Sequence, residues 1–174
     1  MSELDEAWAL ALAEAERRAR ATGRGDVAEY LALRASNDQA RTTATQWLFA
    51  TFTALAGEAN RAGASVSITK EDAHRFRVGH ATMVGTLLTF RSGVRALLIE
   101  AGWPRTPRDG FVRGGGLACA NIKHLGMRAA DEELLLVRSP QTGAPQWTAL
   151  EKTGARTELL EARIRRHLTR FLGG

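Results

Sequence analysis

The spacing of apolar positions is helical over residues 1–62 and changes to that of strands after them. One helix is predicted over 3–22. A second helical stretch covers 26–61, where a possible N-cap at Ser36 leaves open whether the stretch is one helix or two. The two stretches predict a helical hairpin that covers one face of a sheet.

From residue 63 to 150, apolar and polar side chains alternate with the period of strands. The clearest hairpin is TLLTFRSGVRALLIE, with a predicted two-residue turn at Ser92-Gly93. That turn sets Phe90 opposite Arg95 and leaves apolar side chains on both faces of the hairpin, which is typical of central strands. The pattern predicts five to six mostly antiparallel strands.

A last helix is predicted over 155–172, where leucine, isoleucine and phenylalanine recur along one stripe. The order of elements predicts an α+β fold in a single domain over 1–174. Because the helices cover only one face of the sheet, the second apolar face predicts a homodimer.

Composition narrows the class of protein. The chain has 174 residues, 44% hydrophobic and 25% charged, which excludes a disordered tail, a collagen-like fibre and a membrane-embedded bundle. The one cysteine cannot form an internal disulfide, and the acidic start MSELDEAWAL is unlike a signal peptide. No apolar run approaches the roughly 18 residues of a membrane span. A cytoplasmic protein is therefore expected, and 21 arginines against 3 lysines suggest a GC-rich bacterial genome.

The net charge of +5 is unevenly distributed. Residues 63–127 carry +5 and residues 153–174 carry +3, while residues 1–62 carry −2 and residues 128–152 carry −1. A surface of one sign raises the local concentration of a partner of the opposite sign. The distribution predicts an anionic partner, with a solvated basic face that binds nothing as the alternative.

The loop WPRTPRDGFVRGGG, residues 103–116, is the first candidate site. Guanidinium groups match phosphate geometry, and backbone N–H groups of glycine-rich turns can hold an anion. The alternative is an irregular crossover between strands. The predicted anion-binding residues are Arg105, Arg108, Arg113, Gly114, Gly115 and Gly116.

The C-terminal helix is the second candidate, because arginines repeat along a stripe beside its apolar one. Such a helix can bind nucleic acid or an acidic protein. The alternative is a packed helix whose arginine stems cover the rim of the core. The predicted basic stripe consists of Arg156, Arg163, Arg166 and Arg170.

Metal and nucleophilic chemistry have little support. None of the four histidines has a ligand-spaced partner, so neither a metal nor a cofactor is predicted; they are His74, His80, His124 and His167. Cys119 lies in the apolar run GLACANI and is predicted to be a buried structural thiol. Glu100 and Asp109 flank the loop, either as a carboxylate pair or as partners of its arginines.

These observations predict a non-enzymatic binding module that presents a basic surface, built from the 103–116 loop and the C-terminal helix, to an anionic partner. Nucleic acid is the first expectation and an acidic protein the second; no membrane is expected. One alternative is a chaperone-like or regulatory protein-interaction homodimer. A second alternative is a small-molecule enzyme with an anion pocket.

Overall fold

A computed structural model describes residues 3–21, 23 and 25–173. The helices are α1 (Glu3–Ala21), α2 (Gly25–Arg61) and α3 (Glu161–Phe171). The strands are β1 (Ser67–Val78), β2 (Ala81–Ser92), β3 (Arg95–Trp103), β4 (Ala118–His124), β5 (Glu132–Arg138), β6 (Pro145–Leu150) and β7 (Arg156–Glu158). Short 3-10 turns lie at Pro107–Asp109, Arg113–Gly115 and Arg128–Ala130. The predicted α+β class is confirmed, with seven strands where five to six were expected.

The chain divides into two compact units, residues 1–40 and 41–174. The first unit contains α1, stabilised on its exposed side by Glu14–Arg18 and Glu16–Arg20 pairs one helical turn apart. The stretch 26–61 lies within the single helix α2. The prediction of a single domain over the whole chain stays a prediction.

The second unit is built on one antiparallel sheet whose strands lie side by side in sequence order, from β1 to β7. We call the side of the sheet that carries Phe90 and Leu97 the first face and the side that carries Met83 and Cys119 the second face. Consecutive hairpins alone produce this order, so every neighbouring pair of strands is joined by a local connection.

The register of the central hairpin differs from the prediction. Phe90 pairs with Leu97 and Ser92 with Arg95, so the turn is Gly93-Val94. Gly93 has φ 60°, and the first turn position of a type I′ or II′ hairpin requires a positive φ. The predicted pairing is wrong by two residues. A shift of two keeps each side chain on its face, so the predicted division of the faces holds.

Helices cover the first face. Side chains from the second half of α2 are buried there, and the ring of Phe52 lies 6.0 Å from that of Phe90. The indole N–H of Trp147 on β6 donates to the Ala44 carbonyl at 2.9 Å. From α3, Ile164, Leu168 and Phe171 are buried. This face is the main apolar core.

The second face is covered in part by the chain itself. Val112, from the segment between β3 and β4, packs onto a buried cluster of Phe76, Ala81, Met83 and Cys119. β2 and β3 approach so closely beneath it that a Cβ added to Gly102 would lie 2.6 Å from the Val84 carbonyl oxygen. The loop is thus a partial second layer.

The start of the C-terminal helix was predicted too early. Residues 156–158 form β7, in which Arg156 pairs with Leu150 of β6. The Leu159 N–H extends this pairing to the Trp147 carbonyl, and the helix begins only at Glu161. The 3.6-residue apolar period itself starts at Leu160, so residues 155–159 lacked the signal that defines a helix.

Among the helices of the described residues, none has both the length and the apolar character needed to cross a membrane.

Candidate functional site

The second face carries a cavity of about 290 Å³ over β4 to β7, beside the end of the loop. Polar and charged side chains line much of it: Arg113, Asn121, Glu133, Thr148 and Arg156. Each of the four neighbouring strands β4 to β7 contributes one polar side chain to this face, and strand pairing alone brings the four together: Asn121, Glu133, Thr148 and Arg156.

Two guanidinium groups lie against glycine backbone at this cavity. A Cβ added to Gly79, between β1 and β2, would lie 3.0 Å from Nη2 of Arg113. A Cβ added to Gly114 would lie 3.1 Å from Nη2 of Arg156. Both glycines have positive φ, 60° and 67°. The two glycines leave room for flat guanidinium groups to lie on the main chain.

The cavity therefore joins residues from both sequence candidates. Arg113 and Gly114 come from the predicted loop site, and Arg156 comes from the predicted helix stripe. Both arginine residues are exposed, and within the described residues neither guanidinium group makes a hydrogen bond or an ion pair. A planar, doubly donating group with no carboxylate partner is available to an anion.

The other loop arginines lie elsewhere. The Arg105 guanidinium stacks on the Trp103 ring at 3.9 Å and donates to the Val84 carbonyl at 3.1 Å. Arg108 is exposed on the Pro107–Asp109 turn. The Arg105 guanidinium contacts Val84 within β2, whereas that of Arg113 lies at Gly79 between β1 and β2, and only Arg113 of the three lines the cavity. The three predicted loop arginines thus do not meet at one point.

The remaining loop glycines serve the backbone. Gly115 has φ 70°, which the turn into β4 requires. A Cβ added to Gly116 would lie 2.9 Å from atoms of Leu135 and Val112, so Gly116 permits the loop to pack on the sheet.

Cys119 borders the cavity but is not a nucleophile. Burial and, to a lesser extent, the Glu133 carboxylate raise the pKa of its thiol to about 11, although the charge of Arg156 partly opposes them. The thiol is protonated at neutral pH, and only the thiolate attacks. The predicted buried thiol is confirmed.

Asn121 connects the cavity to a buried carboxylate on β3. Glu100 accepts hydrogen bonds from Lys123 at 2.7 Å, His74 at 2.7 Å and Asn121 at 2.9 Å. Burial opposes ionisation of Glu100, but the bonds from Lys123, Asn121 and His74 outweigh it and hold the pKa below its usual value. Sequence reasoning missed this cluster, although all four side chains lie on one face by alternation.

Asp109 organises the loop. It accepts the N–H groups of Arg105 at 2.9 Å and Thr106 at 3.1 Å, and Nη2 of Arg75 at 3.0 Å. The bond from the Arg105 N–H is the main reason that the pKa of Asp109 is lowered. Glu100 and Asp109 thus bind separate sets of donors, and Asp109 accepts the main-chain N–H of Arg105.

The remaining stripe arginines lie on α3, over the first face. Nη2 of Arg163 lies 2.7 Å from Glu132 and its Nη1 lies 2.6 Å from Glu151. Arg166 and Arg170 line a second cavity, of about 350 Å³, with the same glutamates. The loop and α3 cover opposite faces, so the predicted basic surface is divided into two separate regions.

No group of three or more histidine, cysteine or carboxylate side chains suited to a metal ion occurs within residues 3–21, 23 and 25–173.

In comparisons with known proteins, no protein-family model, no curated protein and no solved structure matches this chain.

Proposed function

We propose that this protein is a non-enzymatic binding module that holds the phosphate backbone of nucleic acid at Arg113 and Arg156. The observation that carries the proposal is the pair of exposed guanidinium groups at one cavity, each against a glycine and neither in an ion pair within the described residues. The glycine backbone limits their motion, which lowers the entropic cost of binding.

The surrounding charge agrees with a polyanionic partner. The chain has a net charge of +5, and three exposed guanidinium groups, those of Arg108, Arg113 and Arg156, lie on the loop and β7. Phosphate contacts need no base-specific geometry, and no base-reading motif is present in the sequence. The protonated Cys119 thiol offers no attacking group at the cavity. The proposal includes a bacterial, cytoplasmic setting.

Binding of a fluorescein-labelled single-stranded oligonucleotide, followed by anisotropy over a range of KCl concentrations, tests the proposal. Arg113→Ala and Arg156→Ala should each weaken binding and reduce the slope of log Kd against log salt by about 1, because each removes one phosphate contact. Arg128→Ala is the matched control, since Arg128 is exposed, unpaired in the described chain and outside this cavity.

Equal weakening by all three substitutions would contradict a site at the cavity and indicate general attraction by positive charge. Absence of any binding at low salt would reject nucleic acid as the partner.

A small phosphorylated molecule is the second candidate, favoured by the size of the cavity. A volume of about 290 Å³ is close to the lower limit of small-molecule sites, and Glu133 and Asn121 supply further polar groups. This candidate retains the anion-pocket alternative. Three results together would support this candidate. The wild type would bind a nucleoside monophosphate, Arg156→Ala would weaken that binding, and no oligonucleotide would bind.

The homodimer stays a prediction. The argument for a dimer was an uncovered apolar face of the sheet. The loop weakens that argument, because Val112 and its cluster cover part of this face. Light scattering at micromolar concentration tests it directly.

A further inference from the structure

Two buried histidines form a hydrogen-bonded chain beneath the α3 cavity. Nε2 of His124 lies 2.8 Å from Nδ1 of His167, and Nε2 of His167 lies 3.0 Å from Oε2 of Glu132. The two histidines are 3% and 5% exposed. His124 belongs to β4, His167 to α3 and Glu132 to β5, so three elements meet at this point.

The geometry dictates where the protons are. Burial opposes ionisation of Glu132, but hydrogen bonds from His167 and Arg163 lower its pKa to about 2, so its carboxylate only accepts. Nε2 of His167 therefore carries a proton. When His167 is neutral, its Nδ1 has a lone pair and accepts the Nε2–H of His124.

The pair can hold one further proton and no more. With that proton, Nδ1–H of His167 donates to Nε2 of His124, and the ring proton of His124 moves to its Nδ1. A second added proton would place two N–H groups head to head across 2.8 Å and break the bond. The hydrogen-bond geometry of the histidine pair thus has room for one additional proton and not for two.

The cavity has positively charged side chains at its rim that no carboxylate pairs with within the described residues. Arg163 is held by two carboxylates, so that Arg163, Glu132 and Glu151 together carry one net negative charge. Arg166 and Arg170 lie one helical turn apart, line the same cavity and make no ion pair within the described residues. Two guanidinium groups without carboxylate partners in the described chain match the charge of a dianion, but a dianion would add to the negative charge below them.

We propose that this cavity is a second anion site, independent of the first: Arg166 and Arg170 bind a dianion of the sulfate or phosphomonoester class, and the His124–His167 pair takes one proton from solvent as it binds. The proton offsets the charge that the dianion adds over Glu132 and Glu151.

The groups around the histidines support the coupling. Burial is the first cause that lowers the pKa of His124, followed by the charges of His167 and Arg170, while Asp131 and Glu132 act in the opposite direction. Arg95 also lines the pocket beside His124. An anion on Arg170 reduces one of these opposing charges, so the pair gains a proton more easily when the site is filled.

Calorimetric titration with sodium sulfate tests the proposal, because sulfate does not itself titrate near neutral pH. Titrations in two buffers of different ionisation enthalpy, at constant ionic strength, give the number of protons taken up. We expect each bound sulfate to be accompanied by uptake of a fraction of one proton. The Kd for sulfate should therefore rise as the pH is raised from about 6 to about 8, by at most tenfold per pH unit.

Variants separate this site from the first one. Arg166→Gln with Arg170→Gln should abolish the proton-linked binding, whereas Arg128→Gln should leave it unchanged. Arg113→Ala with Arg156→Ala should also leave it unchanged, so failure of one site is distinguishable from failure of the other. His124→Gln combined with His167→Gln, which removes both titratable rings, should retain sulfate binding and lose the proton uptake. Wild-type affinity in the double Arg166, Arg170 variant, or zero proton uptake by the wild type, would overturn the proposal.

Discussion

The two faces of the sheet show different uses of the same strands. On the first face, two helices bury side chains such as Phe52, Phe90 and Leu97 completely. On the second face, one loop residue, Val112, covers a small cluster, and the rest carries a buried carboxylate and a polar cavity. Helix packing fills the middle of the first face and leaves its charged cavity beside α3, whereas the second face, covered only by a loop, carries a polar cavity over its strands.

The largest effect is expected from truncation of the first face. Phe90→Ala removes a fully buried ring that contacts Phe52, and such changes cost about 3–5 kcal/mol of unfolding free energy. Val112→Ala should cost only about 1 kcal/mol, because the side chain is half-buried and only two methyl groups are lost. Urea denaturation measures both.

Val94→Ala is the control for Val112, since Val94 lies in the hairpin turn and is 99% exposed. It should change the free energy of unfolding by less than about 0.5 kcal/mol. If Val112→Ala costs no more than Val94→Ala, the loop is not a packed layer. If it costs as much as Phe90→Ala, the two faces are equivalent in energy and the comparison fails.

Sequence periodicity was enough for the α+β class and for the two faces of the central hairpin. It indicated three helical regions and that hairpin, because these depend on neighbours a few residues apart. It failed at the register of the hairpin and at Arg156, where the choice of turn residue and the pairing of β7 with β6 decide the outcome. Neither depends on local period.

The sites were predicted only in part, because they join distant residues. Arg113, Gly114 and Arg156 were each selected, but in two separate candidates. The His74–Glu100 bond spans 26 residues and the His124–His167 bond spans 43. Only the strand order of the sheet and the packing of α3 bring these pairs together, and single-sequence patterns contain neither.

Acid should lower the free energy of unfolding, because it protonates Glu132 on the side of β5 that faces α3. The pKa of Glu132 is about 2 when folded, against an ordinary value of 4.5. A lowered carboxyl pKa gives stability that is present above the unfolded value and lost as pH falls towards the folded value, here on the order of 3 kcal/mol. The free energy of unfolding should fall from about pH 4.5 to about pH 2.

Glu132→Gln should make that pH dependence shallower. Glu133→Gln, one residue along β5 and exposed on the second face, is the matched control and should leave the slope close to that of the wild type. An equal change of slope in both variants would show that acid sensitivity belongs to the whole strand and not to the first-face side.

The smallest and most local expected effect is a change in the reaction rate of the thiol under the loop. Cys119 is the only cysteine of the chain and lies in the cluster that Val112 covers. Because burial raises its pKa to about 11, a thiol reagent such as DTNB should react slowly with the folded protein at neutral pH and label one thiol per chain in urea.

Val112→Ala should speed the reaction of the folded protein, since local opening of the loop exposes the thiol at less cost than global unfolding. Phe90→Ala, measured where it is still folded, should accelerate it only as far as its lower global stability predicts. If the two variants react at rates that follow global stability alone, the loop opens together with the core, and the second face is not an independently mobile layer.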